Sequence, residues 1–244
     1  MNQTEEFRAI SGMELMLMEF PQYQFCVQDI LPKGLSVLFA ENMDNARSLA
    51  MELSLAVSSG QSLWDMESEQ GAVLHMIQKD TLAVTRNRIL EMTRRVPDDL
   101  YIGVMAEDSL ALTSNAVPVF VKTHPDVSLV VAELEIPVAC VYQKLYAPGE
   151  LLLQYNCLKE LATQNDIAIL VVQRAVSSSF ALSEYTTDGA ACISDTVNCH
   201  FELDVSTYPG NKGVLKRVSR AYGNARWDIT YSLMTHRWIE ERRK

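Results

Sequence analysis

The sequence has no CxxC pair, no glycine-rich phosphate loop and no long apolar run, and each absence removes a class of function. Its five cysteines (Cys26, Cys140, Cys157, Cys192 and Cys199) are odd in number and widely scattered. They form neither a secreted-type disulfide framework nor a metal-binding pair, so reduced and mostly buried thiols are expected. The four histidines, His75, His124, His200 and His236, show no ligand spacing, and no metal site is expected. No stretch approaches about 18 uninterrupted apolar residues, which excludes a membrane-spanning helix. The polar, acidic opening from Met1 to Ala9 lacks the features of a signal peptide, so a cytoplasmic protein is expected. Internal repeats and low-complexity segments are also missing.

What is there is a globular composition. The chain has 244 residues, 48% hydrophobic and 21% charged, enough for one large α/β domain or two small ones. Its 31 acidic and 21 basic residues give a formal charge of −10, which argues against coating nucleic acid with the whole surface. That average hides a split. From Lys212 onward nine basic residues face three acidic ones, +6, leaving 12 basic and 28 acidic before it, −16. Such asymmetry bears on partners and not on fold.

Along the chain, residues 1–28 read as a helical lead-in carrying Met13, Leu15, Met16, Leu17, Met18 and Phe20, stopped by Pro21. A regular alternation follows. Short apolar runs at 35–40, 73–77, 100–105, 129–132 and 167–172 read as buried strands. Between them, 44–58, 82–95, 109–122 and 150–163 read as helices, the first stopped by Gly60. On these helices Leu49, Leu53, Ala56 and Val57 share one face, Ile89, Leu90 and Met92 face inward, and Leu152, Leu153, Tyr155, Cys157, Leu158 and Leu161 are the apolar positions of the last. Strands separated by helices imply crossovers and a mainly parallel sheet covered on both faces. After residue 195 the segments 200–205, 214–218, 226–231 and 236–240 are divided by glycine turns, and Trp227, Ile229 and Tyr231 alternate with Asp228 and Thr230. That is a half-exposed antiparallel extension of the sheet. With no composition break, residues 29–244 read as one domain.

In an open α/β sheet, ligands bind outside the carboxyl ends of the strands, so the first strand-to-helix turn is the first place for chemistry. It reads Ala40-Glu41-Asn42-Met43-Asp44-Asn45-Ala46-Arg47-Ser48. A phosphate cradle needs converging backbone N–H groups on glycines, a lysine and a hydroxyl residue for Mg²⁺. This turn has no glycine, and Glu41 and Asp44 would repel a triphosphate.

The segment LPKGLSVLFAENMDNARSLAMELSLAVSSGQSLW, Leu31 to Trp64, resembles the opening of RecA-like AAA-domain ATPases of the RepA type, found in plasmids, phages and integrative elements. The frame is kept at Gly34, Leu35, Ala50, Leu53, Ala56 and Gly60. Within it, Ala40 and Asn45 stand at the two phosphate-loop glycines, Ala46 at the lysine and Arg47 at the Mg²⁺-binding hydroxyl residue. The resemblance runs with lower specificity to the C-terminus. GAVLHMIQKDT places Lys79 where the family has its water-polarising glutamate, with Asp80 retained; a lysine only donates and cannot orient water as a base. VSLVVAELE places Glu133 at the Walker B aspartate, one methylene longer. AILVVQRAVSSS places Gln173 and Arg174 at the sensor histidines, and TTDGAACISDTVNCHFELD places Asp195 at an acidic position.

The resemblance therefore implies a catalytically inactive RecA-like protein, a pseudo-ATPase without nucleotide or metal cofactor. Self-association and a role near mobile-element DNA replication or repair follow by resemblance only. Lys212, Lys216, Arg217, Arg220 and Arg226 are the expected contact, either with DNA phosphates or with the acidic face of a neighbouring subunit or replication protein. Two alternatives stand beside this one. An ATPase with an atypical loop would still hold Mg·ATP through Arg47, Asp80 and Glu133, and a structural partner protein would bind neither nucleotide nor DNA. The plainer side-chain reading has Arg47 and Arg174 solvated and Lys79 paired with Glu133. Asp108-Ser109 and the run SSSF lack a nucleophile elbow, and the strand-spaced pair Glu133 and Glu135 lacks a partner acid or histidine.

Overall fold

The computed structural model describes residues 9–19, 24–105, 110–134, 148–174, 196–205 and 211–241. Its elements follow in order. A short helix α1 (Gly12–Leu17) precedes a small hairpin, β1 (Phe25–Val27) and β2 (Leu31–Pro32), then β3 (Gly34–Ala40), α2 (Met43–Ser59), β4 (Ala72–Ile77), α3 (Leu82–Met92) and β5 (Leu100–Val104). They continue with α4 (Leu110–Thr123), β6 (Val127–Leu134), α5 (Pro148–Asn165), β7 (Ala168–Arg174), β8 (Cys199–Asp204), β9 (Lys212–Val218), β10 (Ala225–Ser232) and β11 (Arg237–Glu240).

Nine strands form one sheet in the order β11-β10-β9-β8-β3-β7-β6-β4-β5. The six from β8 to β5 are parallel, and β9, β10 and β11 add to β8 as an antiparallel meander. This is the mixed sheet that the sequence predicts, with helices covering its parallel half. Among the described residues of the expected lead-in, α1 has six residues and Phe25–Val27 is a strand. β1 and β2 are too short for period-2 alternation to reveal them. No helix among the described residues is long and apolar enough to cross a membrane.

Alternation along each strand decides which side chain meets which helix. On β3, Leu38 and Ala40 join the core under α2, whereas Leu35, Val37 and Phe39 join the core beneath α4 and α5. On β6, Leu129 and Val131 belong to the α2 side and Val130 and Ala132 to the other. The same parity therefore sends Glu133 toward α2. On β7 it sends Gln173, with Ile169 and Val171, to the opposite face.

Helix α2 is buried along nearly its whole length, polar residues included. One side lies on the sheet, and another meets Met51, Leu55, Ile89 and Met92 in a small satellite core shared with α3. Gly60 ends it in the left-handed conformation (φ +64°), which glycine adopts without a side-chain clash. The inward set of α3 needs correction at Leu90, and two of the apolar positions of α5 lie off its inward face. Leu90, Leu153 and Cys157 are exposed, because each falls outside the stripe that faces the sheet.

The antiparallel extension reaches back to α2 through β11. The Glu52 Oε1 carboxylate oxygen accepts from the Trp238 backbone N–H at 2.7 Å and from Arg237 Nε at 3.3 Å. The Trp238 carbonyl accepts from Trp64 Nε1 at 2.9 Å, and Trp238 Nε1 donates to the Asn45 carbonyl at 3.3 Å. The outward-pointing N–H and carbonyl of Trp238 in this edge strand are thus taken by side chains, which blunts the edge toward pairing with another strand at that point.

Glu52 is fully buried, and its Oε2 has no hydrogen-bond partner. Burial pushes its carboxyl up to about 8, against the downward pull of Arg237 and the Trp238 N–H. A folded-state value above the ordinary one of about 4.3 means that the native protein holds the extra proton, so stability is greatest at low pH and falls as pH rises toward 8. We expect E52Q to remove this slope. Between pH 5 and pH 9 the wild-type melting temperature should fall relative to E52Q by roughly 4–8 °C, for a loss on the order of 2 kcal/mol. Parallel melting curves for the two proteins would remove Glu52 as the source.

Candidate functional site

The turn after β3 is where the resemblance puts a phosphate loop, and its geometry differs from one. Ala40 is the last residue of β3 and Met43 the first of α2, so only Glu41 and Asn42 join them. Asn45 and Ala46, at the glycine and lysine positions, already lie in the helix. The Asn42 side chain accepts from the Asp44 N–H at 2.9 Å and the Asn45 N–H at 3.4 Å. Those are the first-turn donors that a phosphate would otherwise take, and the chain's own cap satisfies them.

Behind the cap lies a chain of charged side chains. Arg47 is buried, not solvated: its Nε donates to Glu133 Oε2 at 3.2 Å and its Nη1 to Asp44 at 3.2 Å, with Asp80 at 3.9 Å. Glu133 is fully buried, and its Oε1 accepts from His75 Nε2 at 2.9 Å. Its partners are thus Arg47 and His75, in place of the expected Lys79, which is exposed. His75 Nδ1 lies 2.8 Å from Ser54 Oγ, which also donates to the Ala50 carbonyl on α2 at 2.9 Å. Asp80 forms a second ion pair with Arg88 of α3 at 2.7 Å. The buried pair is the consequential one, since Asp44 is mostly exposed and its pairing is screened by water.

These partners decide what the site can hold. Mg·ATP would need Glu133 and Asp80 to face a metal and the helix N-terminus to face phosphate. Instead a guanidinium occupies the carboxylates and Asn42 occupies the amides. The residues present do not fit Mg·ATP. Among the described residues, no group of three or more His, Cys, Asp or Glu could hold a metal ion.

Ser54, His75 and Glu133 have the order of a nucleophile, base and orienting acid. None has solvent-accessible surface, and Ser54 sits mid-helix between α2 and the sheet. No substrate carbonyl can approach that hydroxyl, so the triad geometry is structural. The sequence gives no sign of it, because the three residues are separated by 21 and 58 positions.

The other expected residues scatter. Gln173 is buried on the far face, where its side-chain oxygen accepts from Tyr155 of α5 at 2.9 Å. Arg174 is exposed at the end of β7, in register with Ala40. Glu135, Asp195, Cys140, Cys192, Asp108-Ser109 and the SSSF run lie outside the described residues.

The basic cluster is not one surface. Arg217 is buried beneath the small hairpin, donating to the carbonyls of Asp29, Ile30, Tyr222 and Gly223, with its guanidinium 5.7 Å from the Phe25 and Trp227 rings. It is a staple rather than a contact. Lys212 pairs with Glu241 at 2.8 Å, Lys216 with Glu202 at 3.7 Å and Arg226 with Asp228 at 2.9 Å. Arg220 is exposed.

Comparison with models of known families and with curated proteins gave no match.

Removing the guanidinium leaves Glu133 buried and uncompensated on one side. R47M should cost about 3–5 kcal/mol in denaturant unfolding, and the double variant R47M/E133Q should recover most of that loss. Equal losses in the single and double variants would show that the pair carries no coupling.

Proposed function

We propose that this chain is a RecA-like, RepA-type protein without an ATP cycle, acting in mobile-element DNA replication or repair through self-assembly and protein contacts. One observation carries the inactive part of the reading. The buried Arg47 guanidinium sits on Glu133 and within reach of Asp44 and Asp80, at the positions where the resemblance would place metal and phosphate. A chain-borne cation there competes with Mg²⁺ at every concentration, and the Asn42 cap competes with phosphate.

The sheet supports the reading at a coarser level. The turn from β3 to α2 lies at the carboxyl end of a parallel strand flanked by β7 and β8, neither of which is next to β3 in chain order. Ligand sites of open α/β sheets lie at such strand ends, which supports the reading.

Ion pairing in the basic tail favours protein over DNA as its target. Phosphates would have to displace Glu241, Glu202 and Asp228 from Lys212, Lys216 and Arg226, while Arg217 is out of reach. A protein surface can instead engage both signs of charge.

Isothermal titration with Mg·ATP tests the reading. No saturable heat up to roughly 1 mM ligand, and no phosphate release, are expected. Saturable binding with turnover would overturn it in favour of an atypical ATPase that uses Arg47, Asp80 and Glu133.

A further inference from the structure

A groove of about 630 Å³ opens at the antiparallel edge of the sheet, between β11 and the turn that follows α2. Its volume lies within the range of sites that enclose a ligand. Leu63, Trp64, Trp238 and Ile239 give it apolar walls, and Arg237, Glu240 and Asp65 give it charge.

The turn is built under strain. Leu63 and Met66 exchange backbone hydrogen bonds at 3.0 and 2.9 Å, and both residues between them, Trp64 and Asp65, are left-handed (φ +51° and +65°). Such a turn ordinarily carries Asn-Gly, and a bulky side chain in it is an outlier. Here it sets the Trp64 indole against the edge of β11, where Nε1 donates to the Trp238 carbonyl.

Strand alternation defines what that edge still offers. Trp238 turns its N–H and carbonyl away from β10, and Glu240, two residues on, does the same. Between and after them the bonds run inward, as from the Glu241 N–H to the Asp228 carbonyl at 2.7 Å. Glu52 and Trp64 take the pair on Trp238, whereas the pair on Glu240 has no partner among the described residues. An added strand can therefore bond at Glu240 and must stop before Trp238, because the indole fills its path. The edge admits the end of a chain and not its middle.

Arg237 decides which end. Its Nε is held on Glu52 Oε1 at 3.3 Å, and its two Nη groups have no partner among the described residues. Burial pushes the Glu52 carboxyl up to about 8, so at neutral pH the guanidinium charge is not cancelled from behind. His236, the residue before it, pairs with Glu91 at 3.6 Å. A chain running parallel to β11 would bring its ammonium end to the guanidinium. A chain running antiparallel brings a carboxylate, whose two oxygens match the two Nη donors. Asp65 and Glu240 outnumber Arg237 on the walls, so a polyanion is repelled and a single carboxylate on the guanidinium is what the groove accepts.

We propose that this groove binds the C-terminal end of an extended peptide whose last residue is apolar. The peptide runs antiparallel to β11 and exchanges backbone hydrogen bonds with Glu240. Its terminal carboxylate lies on the Nη donors of Arg237, and its last side chain packs among Leu63, Trp64 and Ile239. This combines strand addition with capture of a terminal carboxylate. The inference goes beyond the reading above, since neither the nucleotide site nor self-assembly enters it.

Equilibrium dialysis of the full chain at roughly 100 μM tests it, against hexapeptides with five randomised positions before a final leucine. The pool is offered once with a free terminal carboxylate and once as the amide. Wild-type protein should retain the acid pool at least about tenfold over the amide pool. R237Q should bring that ratio to about one by lowering acid retention alone, whereas loss of the fold would lower both. E240P removes the outward N–H and spares the pairing with β10, as proline does on the open side of an edge strand. It should lower retention of both pools with an unchanged far-ultraviolet spectrum. Equal retention of acid and amide by the wild type, or retention of neither, overturns the proposal. So does an acid preference that survives R237Q, or an E240P that binds as the wild type does.

Discussion

The fold is organised around a carboxylate that water never reaches. Glu133 lies fully buried where β6 passes beneath α2, and a charge in that position survives only with close partners. Arg47 supplies one from α2 and His75 the other from β4, with Ser54 closing the chain back to the helix. Two strands and the central helix are thereby fixed to one another by directional bonds inside an otherwise apolar core. Packing alone tolerates a helix sliding on a sheet; this network specifies a single seat for α2.

The seat of α2 determines what surrounds it. Its first turn is closed by Asn42 and approached by the Trp238 indole, so the C-terminal meander is registered against the same helix turn that the strand-to-helix connection creates. Glu52, two turns further along, holds the edge strand β11. One helix thus carries two buried carboxylate contacts, one toward the middle of the sheet and one toward its antiparallel edge. Arg217 performs the corresponding task on the other side of the meander by gathering four carbonyls from two turns.

Most of the architecture was legible because it is periodic. Apolar runs of strand length alternating with helical stripes are local signals, and the observed elements from β3 to β11 follow them closely. The positions of Glu133 on the α2 side and Gln173 on the other also follow from strand alternation once the neighbours are known. The site was less legible because its bonds are long-range. Arg47 reads as an ordinary surface residue on a helix N-terminus until Glu133, 86 positions later, is brought over it. His75 reads as an isolated core histidine, and Ser54 as one more small residue on a helix. Lys212, Lys216 and Arg226 form a run of charge in sequence, yet strand pairing sets Glu241 and Glu202 beside the two lysines, and Asp228 pairs with Arg226 from two residues along β10.

A cation that belongs to the chain cannot be diluted, chelated or exchanged. In a nucleotide-dependent fold the charge balance of the central carboxylate follows the supply of magnesium and of triphosphate, and the structure cycles with them. Here Arg47 is present beside Glu133 at a fixed, intramolecular concentration. The pairing is therefore a constant part of the fold and is lost only when the fold itself opens.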